Sequence, residues 1–157
     1  MRRTEGVLVA DAALAVELSL DRLGEQADSA LGGEQLVAPC LLWSEVPSVL
    51  NEMAFRGEIS RDLATQALER FLAGKIHVAK RRHAELTMTA WRIAAELGWA
   101  KTYDAEYLAM ARLLDTRVVT LDMRLRRGAD RLGLVVTPAE LIPDASPEPT
   151  PGPDEPA

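Results

Sequence analysis

Four carboxylic acids lie at positions from which their side chains could act together. They are Asp11, Glu45, Asp104 and Asp122. Asp11 directly follows an apolar run at 7–10, and Asp122 follows another at 117–121, so both are predicted to lie at strand ends. Ligands bind parallel sheets at the carboxyl ends of the strands, which favours one crevice for both acids. Glu45 and Asp104 are predicted near the starts of two helices that can open onto that crevice.

A cluster of carboxylates suits a hard divalent cation. Like charges at close range destabilise one another, and Mg²⁺ or Mn²⁺ bound through oxygen atoms removes that penalty. One or two such ions would orient a phosphodiester, activate a water molecule and stabilise the leaving oxygen. A zinc site is not indicated, because Cys40, His77 and His83 are isolated and poorly spaced for zinc.

Each acid also has an ordinary structural explanation. A strand-end aspartate such as Asp11 often caps a helix or forms a turn, and Asp122 would open a turn at Asp-Met-Arg. Glu45 would be a solvated helix residue, and Asp104 a favourable charge in the first turn of a helix. Spacing alone therefore leaves open both a metal site and four unrelated acids.

The apolar pattern predicts an α/β fold, a three-layer α/β/α sandwich with a mostly parallel central sheet. Short apolar runs alternate with helical patterns, as in strands joined by helical crossovers. The predicted strands are 7–10, 36–38, 76–78, 117–121 and 134–136. The predicted helices are 12–23, 40–56, 61–72, 84–97 and 103–114, with a shorter one between the last two strands.

Single residues predict where helices begin and end. Ser60 and Thr102 are expected to cap the helices that follow them. Pro47 lies inside a helical pattern, so either Ser44 caps a later start or the helix kinks at the proline. Trp91 has core spacing on its helix and is expected to pack internally.

Composition indicates one domain at 1–142 and a tail at 143–157. The tail is rich in proline, carries four acids and no base, and is predicted to be disordered. Without the tail, 20 acids face 18 bases, so the net charge of −6 does not exclude a polyanionic substrate.

The sequence also predicts a cytoplasmic protein that does not enter a membrane. No apolar stretch approaches the roughly 20 residues of a membrane-spanning helix. The apolar run before Asp11 is too short for a signal peptide, and Cys40 has no second cysteine with which to form a disulfide.

Each of the four acids lies in a segment of distinctive sequence. The segments are VLVAD at 7–11, LWSEV at 42–46, TYDAEYLAMA at 102–111 and VVTLDMRL at 118–125. In this order they resemble PIN domains, and specifically the VapC-type toxins of bacterial type II toxin–antitoxin pairs. The resemblance runs from about residue 6 to 142, and the last two segments are its most specific part.

The resemblance implies an endoribonuclease that needs Mg²⁺ or Mn²⁺ and cleaves RNA phosphodiester bonds. It also implies a homodimer and a cognate VapB-type antitoxin that holds the enzyme inactive. The catalytic and metal-binding residues carry over as Asp11, Glu45, Asp104 and Asp122. Thr120 carries over as a hydroxyl that supports them. Two positions depart from the family pattern: Ala13 stands where many relatives carry Ser or Asn, and Ser48 where many carry Asn.

Basic residues near the acids are candidates for RNA-phosphate contacts. Three arginines follow Asp122: Arg124, Arg126 and Arg127. They are predicted to hold phosphates that the acids would repel, with a solvated helix start as the alternative. A second basic run at 80–83 is more simply a solvated loop, although a phosphate or an acidic partner there is the alternative.

Two other functions remain open at this point. One is a catalytically weak PIN-like binding module, which the departures at Ala13 and Ser48 would favour. The other is a different Mg²⁺-dependent phosphoesterase. A P-loop enzyme is excluded, because no Gly-x-x-x-x-Gly-Lys pattern occurs.

Overall fold

Five short strands form the central sheet of the computed structural model, which describes residues 6–142. The strands are β1 Val7–Ala10, β2 Gln35–Ala38, β3 Ile76–Val78, β4 Val118–Val119 and β5 Val135–Val136. Their order across the sheet is β3-β2-β1-β4-β5, and every pairing is parallel. The continuous apolar runs of the sequence suit such a sheet, because both faces of a parallel sheet are covered.

Helices cover the sheet on both faces and give the predicted three-layer sandwich. They are α1 Ala12–Ser19, α2 Glu25–Leu31, α3 Leu42–Phe55, α4 Arg61–Leu72, α5 Ala84–Leu97, α6 Tyr103–Leu113, α7 Met123–Gly128 and α8 Pro138–Leu141. Helices α5 and α6 pack along each other, as do α3 and α4, and α6 also contacts β1 and β4. The core is built from fully buried residues such as Val9, Leu108 and Val119. None of the helices within 6–142 is long and apolar enough to cross a membrane.

The strand order creates a switch point beside β1. From β1 the chain moves outward through β2 to β3, and it then returns to the other side of β1 as β4. Val9 and Ala10 pair with Val118 and Val119. The residues that directly follow these two strands therefore stand side by side. In open α/β sheets, this is where ligands bind.

All five predicted strands are present, and most predicted helix boundaries are confirmed. Ser60 caps α4, with its hydroxyl accepting the Leu63 N–H at 3.1 Å. The Ser44 cap is wrong: α3 begins at Leu42, and its first turn is closed by bonds to the carbonyls of residues 39–41. Pro47 thus lies inside α3, and its ring nitrogen has no N–H to donate to the preceding turn.

Other local predictions are corrected by the structure. Thr102 precedes α6 but its side chain makes no capping hydrogen bond, because its backbone is already nearly helical. Trp91 is 65% exposed instead of buried. Strand β4 pairs only at Val118 and Val119, not across 117–121.

Two helices were not predicted. The region predicted as one helix at 12–23 ends at Ser19, and α2 follows with Leu31 as its buried residue. One buried position gives no apolar period to detect. Helix α8 carries a capping box between Thr137 and Glu140, a signal visible in the sequence. The tail at 143–157 lies outside the described residues, and its boundary stays a prediction.

Candidate active site

Asp11 lies at the switch point and joins the sheet to the first helix. It is the N-cap of α1, and its Oδ1 accepts the Leu14 N–H at 2.9 Å. Its other oxygen, Oδ2, accepts the hydroxyl of Thr120, the residue next to it at the end of β4. The side chain is buried, with 4% exposed. Burial raises the pKa of Asp11 to about 6, against the lowering effect of the two hydrogen bonds, and repulsion from Asp122 and Asp104 adds to the rise.

Thr120 links two of the predicted acids. The side chain is fully buried, and its Oγ1 accepts the backbone N–H of Asp122 at 2.9 Å while its hydroxyl donates to Asp11. Asp122 then caps α7, with Oδ1 accepting the Arg124 N–H at 2.8 Å. Partial burial acts to raise the pKa of Asp122, but hydrogen bonds and the nearby Arg124 guanidinium lower it below the ordinary value.

Glu45 is held by a residue that the sequence analysis missed. Its Oε2 accepts the hydroxyl of Tyr107, which is buried on α6. Burial raises the pKa of Glu45, the Tyr107 hydrogen bond opposes the rise, and repulsion from Asp104 and Glu106 adds to it. The pKa of Tyr107 is also raised, by burial and by Glu45, so the phenol stays protonated and donates. Tyr107 follows Asp104 by three positions on the predicted helix, and this spacing places both on one face.

Asp104 lies in the first turn of α6 at the exposed rim of the site. Partial desolvation raises its pKa, repulsion from Asp122 raises it further, and Arg124 lowers it. Asp104 thus interacts electrostatically with each of the other three acids. The structure therefore brings all four predicted acids into one electrostatically coupled cluster.

The cluster opens into a crevice between the α5–α6 loop and α7. Glu45, Asp104 and Asp122 line it together with Arg124 and Lys101. Asp11 is not among the lining residues; its side chain is buried and hydrogen-bonded to Thr120. The sequence analysis missed Lys101, because it belongs to no motif and only the fold places it in the crevice with α7.

The three predicted phosphate-binding arginines are separated by the structure. Arg124 stands in the crevice, 89% exposed, with its guanidinium 3.5 Å from Asp122. Arg126 instead binds Glu140 through two N–H groups, at 3.0 and 2.8 Å, and also pairs with Asp130. Arg127 and Arg126 line a different cavity.

The donor set of the cluster fits a hard divalent cation. All its side-chain donors are oxygens, and the pKa values of Asp11, Glu45 and Asp104 are raised, so the protein's own cations and hydrogen bonds do not fully compensate their charge. Within residues 6–142, however, no three Asp, Glu, His or Cys side chains already stand close enough together to hold a metal ion. The four acids interact electrostatically, but their side chains are not already arranged to chelate an ion.

Comparison with known proteins identifies the family. The family model of the PIN domain matches residues 7–131. The chain belongs to the PIN domain family. Ribonuclease VapC9 of Mycobacterium tuberculosis is 31% identical over 119 residues, which are 76% of this chain and 88% of that protein. Ribonuclease VapC3 of Pyrobaculum aerophilum is 32% identical over 137 residues, which are 83% of this chain and 98% of that protein.

Solved structures share the fold of this chain. PAE2754 from Pyrobaculum aerophilum gives a TM-score of 0.62 at 21% identity, covering 88% of this chain and 90% of that one. A toxin–antitoxin complex from Klebsiella pneumoniae gives 0.59 at 18% identity, covering 83% and 97%. At these identities the likeness supports the fold, and both the predicted sandwich and the resemblance to PIN domains are confirmed.

Proposed function

We propose that this PIN domain is a metal-dependent endoribonuclease of the toxin type, neutralised by a cognate antitoxin. One observation carries the proposal: four acids from separate elements interact electrostatically beside the switch point, and the Thr120 side chain bridges Asp11 and Asp122. Sequence relatives that are ribonucleases of the VapC type support the RNA substrate.

The four acids would hold Mg²⁺ or Mn²⁺, and an ion bound there would activate a water molecule and stabilise charge on the phosphodiester. The chain's own residues do the positioning. Thr120 fixes Asp11 and Asp122 relative to each other, and Tyr107 fixes Glu45. Asp11 is buried and its oxygens already accept hydrogen bonds, so it forms the fixed inner part of the carboxylate cluster. The acids that line the crevice would contact the substrate.

Arg124 is the arginine that we propose for the RNA phosphate. It is exposed in the crevice and partly offsets the charge of Asp104 and Asp122. Arg126 would have to leave Glu140 and Asp130 to reach a phosphate, so the proposal gives it and Arg127 no part at the cleavage site. The proposal gives Lys101 a phosphate contact in addition to Arg124, because both residues line the same crevice.

The partners are also part of the proposal. The toxin–antitoxin complex among the structural neighbours supports an antitoxin partner. Such an antitoxin would meet the carboxylates of the crevice with a basic group. A homodimer and a cytoplasmic location, where both RNA and an antitoxin would be met, complete the proposal.

The proposed function is tested by RNA cleavage with purified, antitoxin-free protein. Cleavage is measured in Mg²⁺, in Mn²⁺ and in EDTA, beside the Asp104→Asn variant. The matched control is Asp62→Asn, because Asp62 is an exposed aspartate in the first turn of α4, as Asp104 is in α6. We expect cleavage that needs the metal, disappears in Asp104→Asn and persists in Asp62→Asn.

Cleavage that continues in EDTA would refute metal dependence, and cleavage unchanged in Asp104→Asn would refute the site. Metal binding without cleavage of any RNA would favour the catalytically weak binding module instead. Ser48 is the residue that favours this alternative, because it is exposed on α3 and departs from the family pattern.

A further inference from the structure

A basic loop stands at the same edge of the sheet as the carboxylates. The basic loop is residues 79–83 between β3 and α5, and its four basic side chains are exposed: Lys80, Arg81, Arg82 and His83. Strands β3, β2 and β1 are parallel neighbours, so their carboxyl ends lie along one edge. Two strand spacings separate β3 from β1, which is about 10 Å. The basic loop therefore lies on the β3 side of the acids, at the same edge of the sheet.

Two contacts tie the basic loop to the helices that carry the site acids. The indole N–H of Trp43 on α3 donates to the carbonyl of Ala79 at 3.2 Å. On the other side, Nη1 of Arg82 donates to Oε1 of Glu106 on α6 at 2.6 Å. Trp43 is two residues from Glu45, and Glu106 is two residues from Asp104. The loop is thus fixed relative to the site from both sides.

The Arg82–Glu106 pair leaves most of the arginine's donors for another acceptor. Glu106 is buried, with 2% exposed, and a buried carboxylate is tolerated when a cation pairs with it. Arg82 bonds only to Oε1, and the Oε2 atom of Glu106 has no hydrogen-bond partner among the described residues. The Arg82 side chain is still 49% exposed, and a guanidinium has five N–H donors in a rigid fork.

The other cations of the basic loop are not neutralised. Within residues 6–142, neither Lys80 nor Arg81 forms an ion pair. They precede the 14-residue helix α5, whose N-terminus carries partial positive charge and disfavours further cations. Two exposed, unpaired cations beside the fixed Arg82 at this helix N-terminus favour the binding of an anion.

We infer that the basic loop binds the RNA backbone on the β3 side of the crevice and thereby positions the strand for cleavage. The inference rests on the proposed function, because RNA is taken as the polyanion. The shared sheet edge favours RNA over an acidic protein: a strand whose phosphodiester lies at the carboxylates passes within reach of the loop. Together with Arg124 on α7, the loop would hold phosphates on both sides of the acids.

The test compares two double variants that lose the same charges. Lys80→Ala/Arg81→Ala removes the unpaired cations of the basic loop. Lys75→Ala/Arg92→Ala is the matched control, because Lys75 is exposed at the opposite end of β3 and Arg92 is exposed on α5. Binding of a labelled, mixed-sequence single-stranded RNA is measured by fluorescence anisotropy in EDTA across a salt series. RNA integrity is checked on gels, and poly-glutamate serves as the probe for an acidic polypeptide.

Each phosphate contact contributes about 0.7 to the slope of log affinity against log salt for single strands. Losing two contacts should lower the slope by about 1.4 and weaken binding about 25-fold at ~0.1 M salt, with the control double variant close to wild type. Equal slopes and affinities for the loop variant and wild type, or no RNA binding by wild type, would overturn the inference. Unchanged RNA binding with lost poly-glutamate binding would overturn it in favour of an acidic partner.

Failure of the proposed function would look different. Loop-dependent RNA binding by a protein that cleaves nothing would support the basic loop and refute the nuclease. Cleavage by wild type, together with RNA binding that does not depend on the loop, would support the nuclease and refute the role of the basic loop.

Discussion

Asp11→Asn should stabilise the metal-free protein, although it removes a residue at the centre of the proposed site. Burial and the neighbouring acids raise the pKa of Asp11 from 3.8 to about 6. A shift of roughly two pKa units corresponds to about 3 kcal/mol by which the ionised carboxylate destabilises the fold. Asparagine has no charge to desolvate, and it caps helices as well as aspartate does.

The net gain is smaller than the electrostatic penalty. Asparagine still offers Oδ1 to the Leu14 N–H, but the Thr120 hydroxyl loses its carboxylate acceptor. A lost hydrogen bond to a charged group costs about 1.5 kcal/mol or somewhat more, so the expected gain in the free energy of unfolding is about 1–2 kcal/mol near neutral pH. For a domain of this size, that corresponds to a rise in Tm of about 2–8 °C.

The pH dependence identifies the cause. Because the pKa of Asp11 is raised on folding, the folded protein binds this proton more tightly than the unfolded chain does. The stability that the protonated form provides is complete below pH 4 and is lost as the pH rises through about 6. The advantage of Asp11→Asn over wild type should therefore be absent at pH 4 and complete at pH 7.5.

Urea unfolding in EDTA at the two pH values measures this difference. Asp62→Asn, at the exposed start of α4, should be neutral or slightly destabilising at both. Wild type should also gain stability on adding Mg²⁺, by mass action of a ligand that binds only the folded state, whereas Asp11→Asn should gain less. The idea of a buried carboxylate cluster would be refuted if Asp11→Asn were less stable than wild type at pH 7.5 while the m-value of urea unfolding stayed the same.

Three further substitutions test the contacts around the acids. Thr120→Val should lower the free energy of unfolding by about 2 kcal/mol, because it leaves the Asp122 N–H without its buried acceptor, and Thr120→Ser should restore most of it. Tyr107→Phe should cost about 1–2 kcal/mol through the lost bond to Glu45, and calorimetric titration should show weaker Mg²⁺ binding. Arg82→Ala should destabilise by about 3 kcal/mol by leaving Glu106 buried without a cation, and a second change, Glu106→Gln, should recover most of that loss; additive losses in urea unfolding would contradict the pairing.

Most strands of the sheet could be predicted because they are short apolar runs that the sheet buries. Runs such as 7–10 and 134–136 have no polar residue and are bounded by polar residues or turn formers, so the pattern located them to within a residue. Strand β4 was predicted too long, because a run of β-branched residues does not say how many of them find a partner. Thr120 continues the run, but its side chain donates to Asp11 and accepts the backbone N–H of Asp122.

The site was only partly predictable for a similar reason. The acids could be found as residues that follow strands or begin helices, because such positions converge in a parallel sheet. Tyr107 carried a weaker signal, the three-residue spacing from Asp104. The pairing of Arg126 with Glu140 carried none, because it depends on the fold bringing two residues 14 positions apart together.

The two explanations of Asp11 and Asp122 that spacing left open turn out not to compete. Both residues cap helices, as the structural explanation requires, and both belong to the carboxylate cluster. A cap supplies backbone N–H groups that favour the ionised carboxylate, which is the form that a metal ion needs. The two pKa values move in opposite directions, because Asp11 is buried and Asp122 lies beside the exposed Arg124. Helix capping here orients the acids of the site, and burial then decides which of them needs a cation most.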